Sequence, residues 1–149
     1  MKVFLTVLAF VVFQSCSNYI GFAENQTLSR PVGMSLTALS GQKFQITYTV
    51  QNQEAVFDGY NVYAELTDFS EGEINSTVFP LLVDGSEPTL KHSPEDFNLS
   101  KKITVEFQYL SDTVTKFEVG STYTFKMAAH GRNGERSLLS PALTAKALP

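Results

Sequence analysis

The chain has 149 residues with 11 basic and 15 acidic side chains, a net charge of −4, and it is 43% hydrophobic against 17% charged. This composition excludes a disordered chain, and the acidic balance argues against a nucleic-acid partner, because phosphate binding needs clustered Lys and Arg. Twelve Phe and six Tyr without a single Trp suit half-buried pleated surfaces better than long helices, so the expected class is all-β.

Lys2 precedes an apolar run over residues 3–13, broken only by Thr6. A helix crossing a bilayer takes about 20 residues, so this run is too short to span one, and it has the size of a signal-peptide core. Export is therefore expected, with residues 1–15 as the signal. Cys16 is the one cysteine and cannot form an intramolecular disulfide, which leaves packing to hold the domain together. Phe13-Gln14-Ser15-Cys16 resembles a bacterial lipobox in the looser, spirochaete-like form. That resemblance implies a lipidated Cys16 as mature N-terminus on a bacterial outer membrane or cell surface. The mature chain would then carry 10 basic and 15 acidic residues, a net charge of −5. The other reading is ordinary secretion, with Gly21-Phe22-Ala23 as a small-x-small cleavage site that discards Cys16. Residues 16–30 are polar, lack periodicity and read as a tether.

The domain is expected over residues 31–149. Met34, Leu36 and Ala38 begin it as a strand, Ser40-Gly41-Gln42 turns it, and Phe44, Ile46, Tyr48 and Val50 alternate with polar residues in a second strand. A polar connection ends at Asp58-Gly59. The third strand, over residues 60–66, puts Tyr60, Val62 and Ala64 on one face and Asn61, Tyr63 and Glu65 on the other. Residues 77–83 read as a short strand. Ser93-Pro94-Glu95-Asp96 has the signature of one helical turn capped by Ser93. Ile103, Val105, Phe107 and Tyr109 alternate in a long strand, and residues 113–117 read as a short fifth one. Tyr123, Phe125, Met127 and Ala129 form the next, and Asn133-Gly134 predicts a type I′ hairpin turn into a last strand over residues 137–147.

Several of these stretches together resemble a fibronectin type III domain. They are the Gly120 turn before Tyr123, the small pair Ala128-Ala129, the Ser140-Pro141 step and Gly59-Tyr60-Asn61-Val62-Tyr63, spanning about residues 31–148. The resemblance implies an immunoglobulin-like antiparallel β-sandwich whose middle segment, between Leu66 and Val114, is enlarged. It also implies structural roles for Tyr48, standing where the family has a Trp, and for Tyr123, as a tyrosine corner bonded to upstream backbone.

Little in the sequence points to catalysis. His92 and His130 read as solvated loop residues, and neither lies near a nucleophile elbow. No His or Cys pair has zinc spacing, and Glu71-Gly72-Glu73 and Glu95-Asp96 read as solvated acids, so neither metal nor cofactor is expected. Asn25, Asn75 and Asn98 begin formal glycosylation sequons. The candidate contact loop is Arg132, Asn133, Gly134 and Arg136, two arginines on an acidic body. The expected function is a non-catalytic binding or structural module, anchored to the membrane by its N-terminal lipid and contacting an unidentified protein or glycan ligand. The alternatives are a secreted adhesion-type protein and an accessory carbohydrate-binding module, for which Tyr63 and Tyr109 would be the exposed aromatics.

Overall fold

A computed structural model of the chain describes residues 28–73, 81–111 and 114–149. Within them the strands are β1 (Ser35–Leu39), β2 (Lys43–Val50), β3 (Phe57–Glu65), β4 (Leu81–Leu82), β5 (Leu90–Lys91), β6 (Asn98–Phe107), β7 (Thr122–Gly131) and β8 (Leu143–Lys146), with 3-10 turns at Val83–Gly85 and Pro94–Asp96. One sheet has the order β1-β2-β6; the other runs β4-β3-β7-β8, with β5 beside β3. The chain thus crosses from sheet to sheet after β2, back after β5 and again after β6. This is the immunoglobulin-like arrangement shared by fibronectin type III domains, so the fold is an all-β, fibronectin type III-like sandwich.

Alternation builds the core. Phe44, Ile46, Tyr48 and Val50 of β2 are buried, while Lys43, Gln45, Thr47 and Thr49 face outward. Across the sandwich they meet Tyr60, Val62 and Ala64 of β3 and Tyr123, Phe125, Met127 and Ala129 of β7. Phe44 lies at 4.8 Å from both the Phe117 and the Phe125 rings, contacts worth about 0.5–1.5 kcal/mol each beyond the area they bury. Leu28 joins this cluster, Ser29 N–H donates to Glu54 Oε1 at 2.7 Å, and Asn52 Nδ2 donates to the Ser29 carbonyl at 2.9 Å. Leu28 and Ser29, expected in the tether, therefore pack on the body. The signal segment and Cys16 lie outside the described residues.

The strands differ from expectation in five places. The partner of β2 is β6, with Ile46 opposite Val105 and Tyr48 opposite Ile103, so the long strand over 98–107 belongs to the basic sandwich. The fifth strand expected at 113–117 reduces to a bridge between Tyr109 and Lys116, with residues 112–113 outside the described set. The enlargement thus lies between β3 and β6. Gly59 does not end a turn; β3 begins at Phe57 and bulges between Phe57 and Gly59, whose φ is +147°. Of the strand expected over 77–83, Leu81–Leu82 pairs with β3, Val83 starts a 3-10 turn and 77–80 lie outside the described residues. The last strand shrinks to β8 because Ser137 and Ser140 interrupt it: their hydroxyls accept from the Ala129 and Met127 amides at 2.8 and 2.9 Å. Side-chain oxygens thereby replace ladder carbonyls.

The segment between β3 and β6 completes the second sheet. β4 and β5 border β3 at Tyr63-Ala64 and Gly59-Tyr60, and between them Thr89 Oγ1 accepts the Val62 amide at 3.1 Å. Residues 67–73 then lie over the outer face of β3 and β7, where Phe69 is buried among Tyr63, Ala128, Leu139 and Leu82.

Candidate contact surface

At one end of the sandwich the β2–β3 connection, the loop after β7 and the 3-10 turn at Pro94–Asp96 come together. Arg132 N–H donates to the Val56 carbonyl at 2.9 Å, tying the first two. The turn after β7 is not the expected type I′. Gly134 N–H donates to the Gly131 carbonyl and Gly131 N–H to the Glu135 carbonyl, and of the central residues only Gly134 has positive φ, at +83°. This is a three-residue loop in which a type I turn is followed by a left-handed glycine. Asn133 is therefore freed from positive φ, and its backbone and side-chain N–H groups donate to the Glu135 carboxylate at 3.0 and 2.9 Å. Those bonds hold the Glu135 carboxyl below the usual range. The tip is exposed at Arg132, Asn133 and Gly134 but internally braced.

Arg136 does not share this tip. It is half-buried over the outer face of the second sheet, 3.8 Å from Glu71 Oε2, and Glu71 Oε1 also accepts the Leu139 amide. On the other side of the tip, the Ser93 side chain is the main cause holding Glu95 below the carboxylate range, and the charge of Arg132 contributes. Ser93 and Asp96 form a reciprocal capping box around that 3-10 turn.

Both histidines are drawn inward, against the expectation of solvated loop positions. His92 Nε2 lies 2.8 Å from the Tyr48 hydroxyl and its Nδ1 3.6 Å from Asp96 Oδ2, with 14% of the side chain exposed. Burial lowers the pKa of this ring, and Asp96 partly offsets that. His130 lies within β7, 3.5 Å from Glu87 Oε1 and from Asn61 Nδ2. Asn61 also donates to Glu87 and to the Tyr63 hydroxyl, at 2.9 and 3.1 Å. Each ring thus clamps part of the segment between β3 and β6 to a strand of the sandwich. Sequence reasoning missed Phe69, Lys126 and Asp68, which fasten residues 67–73: Lys126 lies 2.8 Å from Asp68 and 4.9 Å above the Phe69 ring, and donates to the Phe69 carbonyl. The one available signal was a Phe inside an acidic, glycine-containing run.

The structural tyrosines are all buried. Tyr123 accepts the Glu118 amide at 3.0 Å, five residues upstream, which is tyrosine-corner geometry. The Tyr60 hydroxyl accepts the Gln51 amide at 2.9 Å and donates to Asn52 Oδ1 at 3.0 Å, so it is better engaged than Tyr123; burial pushes its pKa up to about 12. Tyr48 packs edge-on to Tyr60 at 5.7 Å, and its pKa too is raised by burial. Tyr63 is only 6% exposed and Tyr109 half-buried, so neither is an open stacking platform. Asn98 is exposed, with its Oδ1 accepting the Ser100 and Lys101 amides; Asn25 and Asn75 lie outside the described residues. Among the described residues no group of three His, Cys, Asp or Glu side chains is placed to hold a metal ion.

No family model and no curated protein matches the chain. Among solved structures, one titled as a myokine structure matches 81% of this chain and 98% of its own at 12% identity and a TM-score of 0.44. A β-1,2-glucanase from Parabacteroides distasonis matches at 17% and 0.46, and the FN1–FN3 domains of chicken CNTN1 at 10% and 0.47. The chain spans only 13% and 31% of those two. The fold assignment rests on the strand order described above.

Proposed function

We propose that this is an exported, non-catalytic binding module, anchored to a bacterial membrane through a lipidated Cys16 and contacting a protein or glycan partner with the tip Arg132-Asn133-Gly134. The observation that carries the contact reading is the bracing of that tip. Its side chains are exposed while Val56 and Glu135 hold its backbone and Asn133, so binding orders little that is not already ordered. The histidines support a non-catalytic role, since each ring faces a structural partner. Arg136, spent on Glu71, drops out of the contact set.

Anchoring would constrain the partner. Residues 28–32 dock against the β2–β3 connection, at the same end as the tip. Twelve residues separate Cys16 from Leu28 at most about 40 Å when fully extended. A partner must therefore fit between body and membrane or approach from the side.

Screening the purified protein against matrix proteins and glycans, then repeating any positive with Arg132→Ala, tests the contact reading. Lost retention at an unchanged melting temperature supports the tip, and unchanged retention places the contact elsewhere. For the anchor, Cys16→Ala should move the protein from the detergent phase to the aqueous phase. A wild type that is already aqueous, or that begins at Glu24, removes the lipid.

A further inference from the structure

β6 is an edge strand. Among the described residues it pairs only with β2, leaving one side of its backbone without a ladder, and such an edge is a template for another strand. Its inward residues are incompletely covered: Ile103 and Val105 pack against the core yet remain half-exposed. Its outward residues Lys102, Thr104 and Glu106 are exposed.

We propose that β6 pairs antiparallel with β6 of a second copy of this chain, about a twofold axis through Thr104, joining two three-stranded sheets into one of six. Strand parity and charge select that register. For both sandwiches to keep their cores on the same side of a continuous sheet, outward residues must oppose outward residues, so the axis must pass through a residue. An axis at Lys102 sets Lys102 against itself. An axis at Ile103 sets Lys102 against Thr104 and Ser100 against Glu106, and one at Val105 sets Thr104 against Glu106. Only the axis at Thr104 places Lys102 opposite Glu106 twice over, Thr104 opposite Thr104, and Ile103 opposite Val105 on the inner face. Opposite charges, threonine pairs and β-branched pairs are the cross-strand combinations that stabilise antiparallel neighbours. The hydroxyl contact between Thr47 and Thr104, at 3.0 Å, would continue across the axis as a row of four threonines. Lys43 lies 3.5 Å from Glu106, and the two side chains are 38% and 48% exposed, so the carboxylate can take a second cation. Lysines on an edge ordinarily discourage pairing; here Lys102 opposes the register about itself and favours the one about Thr104.

The test is sedimentation velocity over a concentration series, on the full chain carrying Cys16→Ala so that no lipid contributes. The expected result is a reversible monomer–dimer equilibrium. Lys102→Glu and Glu106→Lys should each weaken it about tenfold or more, by turning two attractive contacts repulsive, with melting temperatures close to the parent's. Mixing the two single variants one to one should restore association, because the acid introduced in one then opposes the base introduced in the other. A parent that stays monomeric throughout, a dimer indifferent to both reversals, or a mixture no stronger than its components overturns the proposal.

Discussion

The outer faces of the two sheets have opposite fates. On β1-β2-β6 the outward row Lys43, Gln45, Thr47 and Lys102, Thr104, Glu106 is open to water, while the equivalent row on β3 and β7, Asn61, Tyr63, Thr124 and Ala128, is buried. What covers the second face is the segment between β3 and β6, packed through Phe69 and fastened by Lys126, Glu71 and Glu87. A strand with one wet face shows its period in its residue types. A strand buried on both faces does not, and its outward polar groups are then committed to partners rather than to solvent.

The sharpest way to break this comparison is at the seam between β3 and its cover. A Cβ on Gly59 would meet the Leu90 carbonyl oxygen at 2.2 Å and Pro88 at 2.9 Å, on a backbone with φ +147°. Gly59→Ala is expected to cost about 3 kcal/mol or more, combining strain at a glycine-only conformation with displaced backbone. Urea melts of the two proteins measure it. A variant as stable as the parent would mean that residues 88–91 are not held against β3.

Next in size is the cover itself. Phe69→Ala empties a buried aromatic site, but residues 67–73 can lift away without opening the sandwich, so a global loss of about 1–2 kcal/mol is expected in place of the 3–5 typical of a closed core. Hydrogen exchange should quicken at residues 67–73 and along the outer side of β7, with β2 and β6 amides unchanged. Equal quickening in both sheets would show that the cover is part of one cooperative core.

How far the sequence could be read follows the same division. The alternation of β2 and the setting of Tyr123 lead directly to the sandwich and its corner, because β2 faces core on one side only and Tyr123 follows a local turn signal. The pairing of β6 with β2 was hidden, since alternation identifies a strand and says nothing of its partner. The clamps of His92 and His130 were unreadable for a different reason: both depend on residues distant in sequence, Tyr48 and Glu87, brought together by the cover. Asn133-Gly134 marked the hairpin correctly as a tight turn. The turn type escaped because Glu135 binds Asn133 and leaves the left-handed position to glycine alone.

The two corner-like tyrosines, both of the second sheet, compare the β2–β3 connection with the turn before β7 at the scale of one hydrogen bond. Tyr60→Phe strands a buried Asn52 acceptor and the Gln51 amide, for which about 2 kcal/mol is expected, while Tyr123→Phe releases only the Glu118 amide, for about 1 kcal/mol. Thermal melts of both variants rank them. The reverse order would show that the turn before β7 carries more of the sandwich than the β2–β3 connection does.

The smallest expected effect is the pH response of the tie between the two regions. His92 belongs to the cover, and its ring is held against Tyr48 of the first sheet and Tyr60 of the second, with Asp96 and Ser93 at its outer side. Burial disfavours the imidazolium and Asp96 favours it; the net direction is a lowered pKa. The unfolded chain, with an ordinary His pKa of about 6.5, then binds more protons than the folded one in mildly acidic solution. Stability contributed by neutral His92 is therefore complete above that value and falls as the pH drops through it. The carboxylates held low in the fold, Glu54 and Asp96 among them, lose their contribution only below about pH 4, so between pH 7.5 and 5.5 the difference between the parent and a His92 variant reports this ring. Over that interval the parent should lose a small amount of stability, and His92→Gln, which does not titrate, should lose less. A parent that becomes more stable on acidification would show that the Asp96 contact outweighs burial, and that the cover holds this ring at its surface rather than against the Tyr48 hydroxyl.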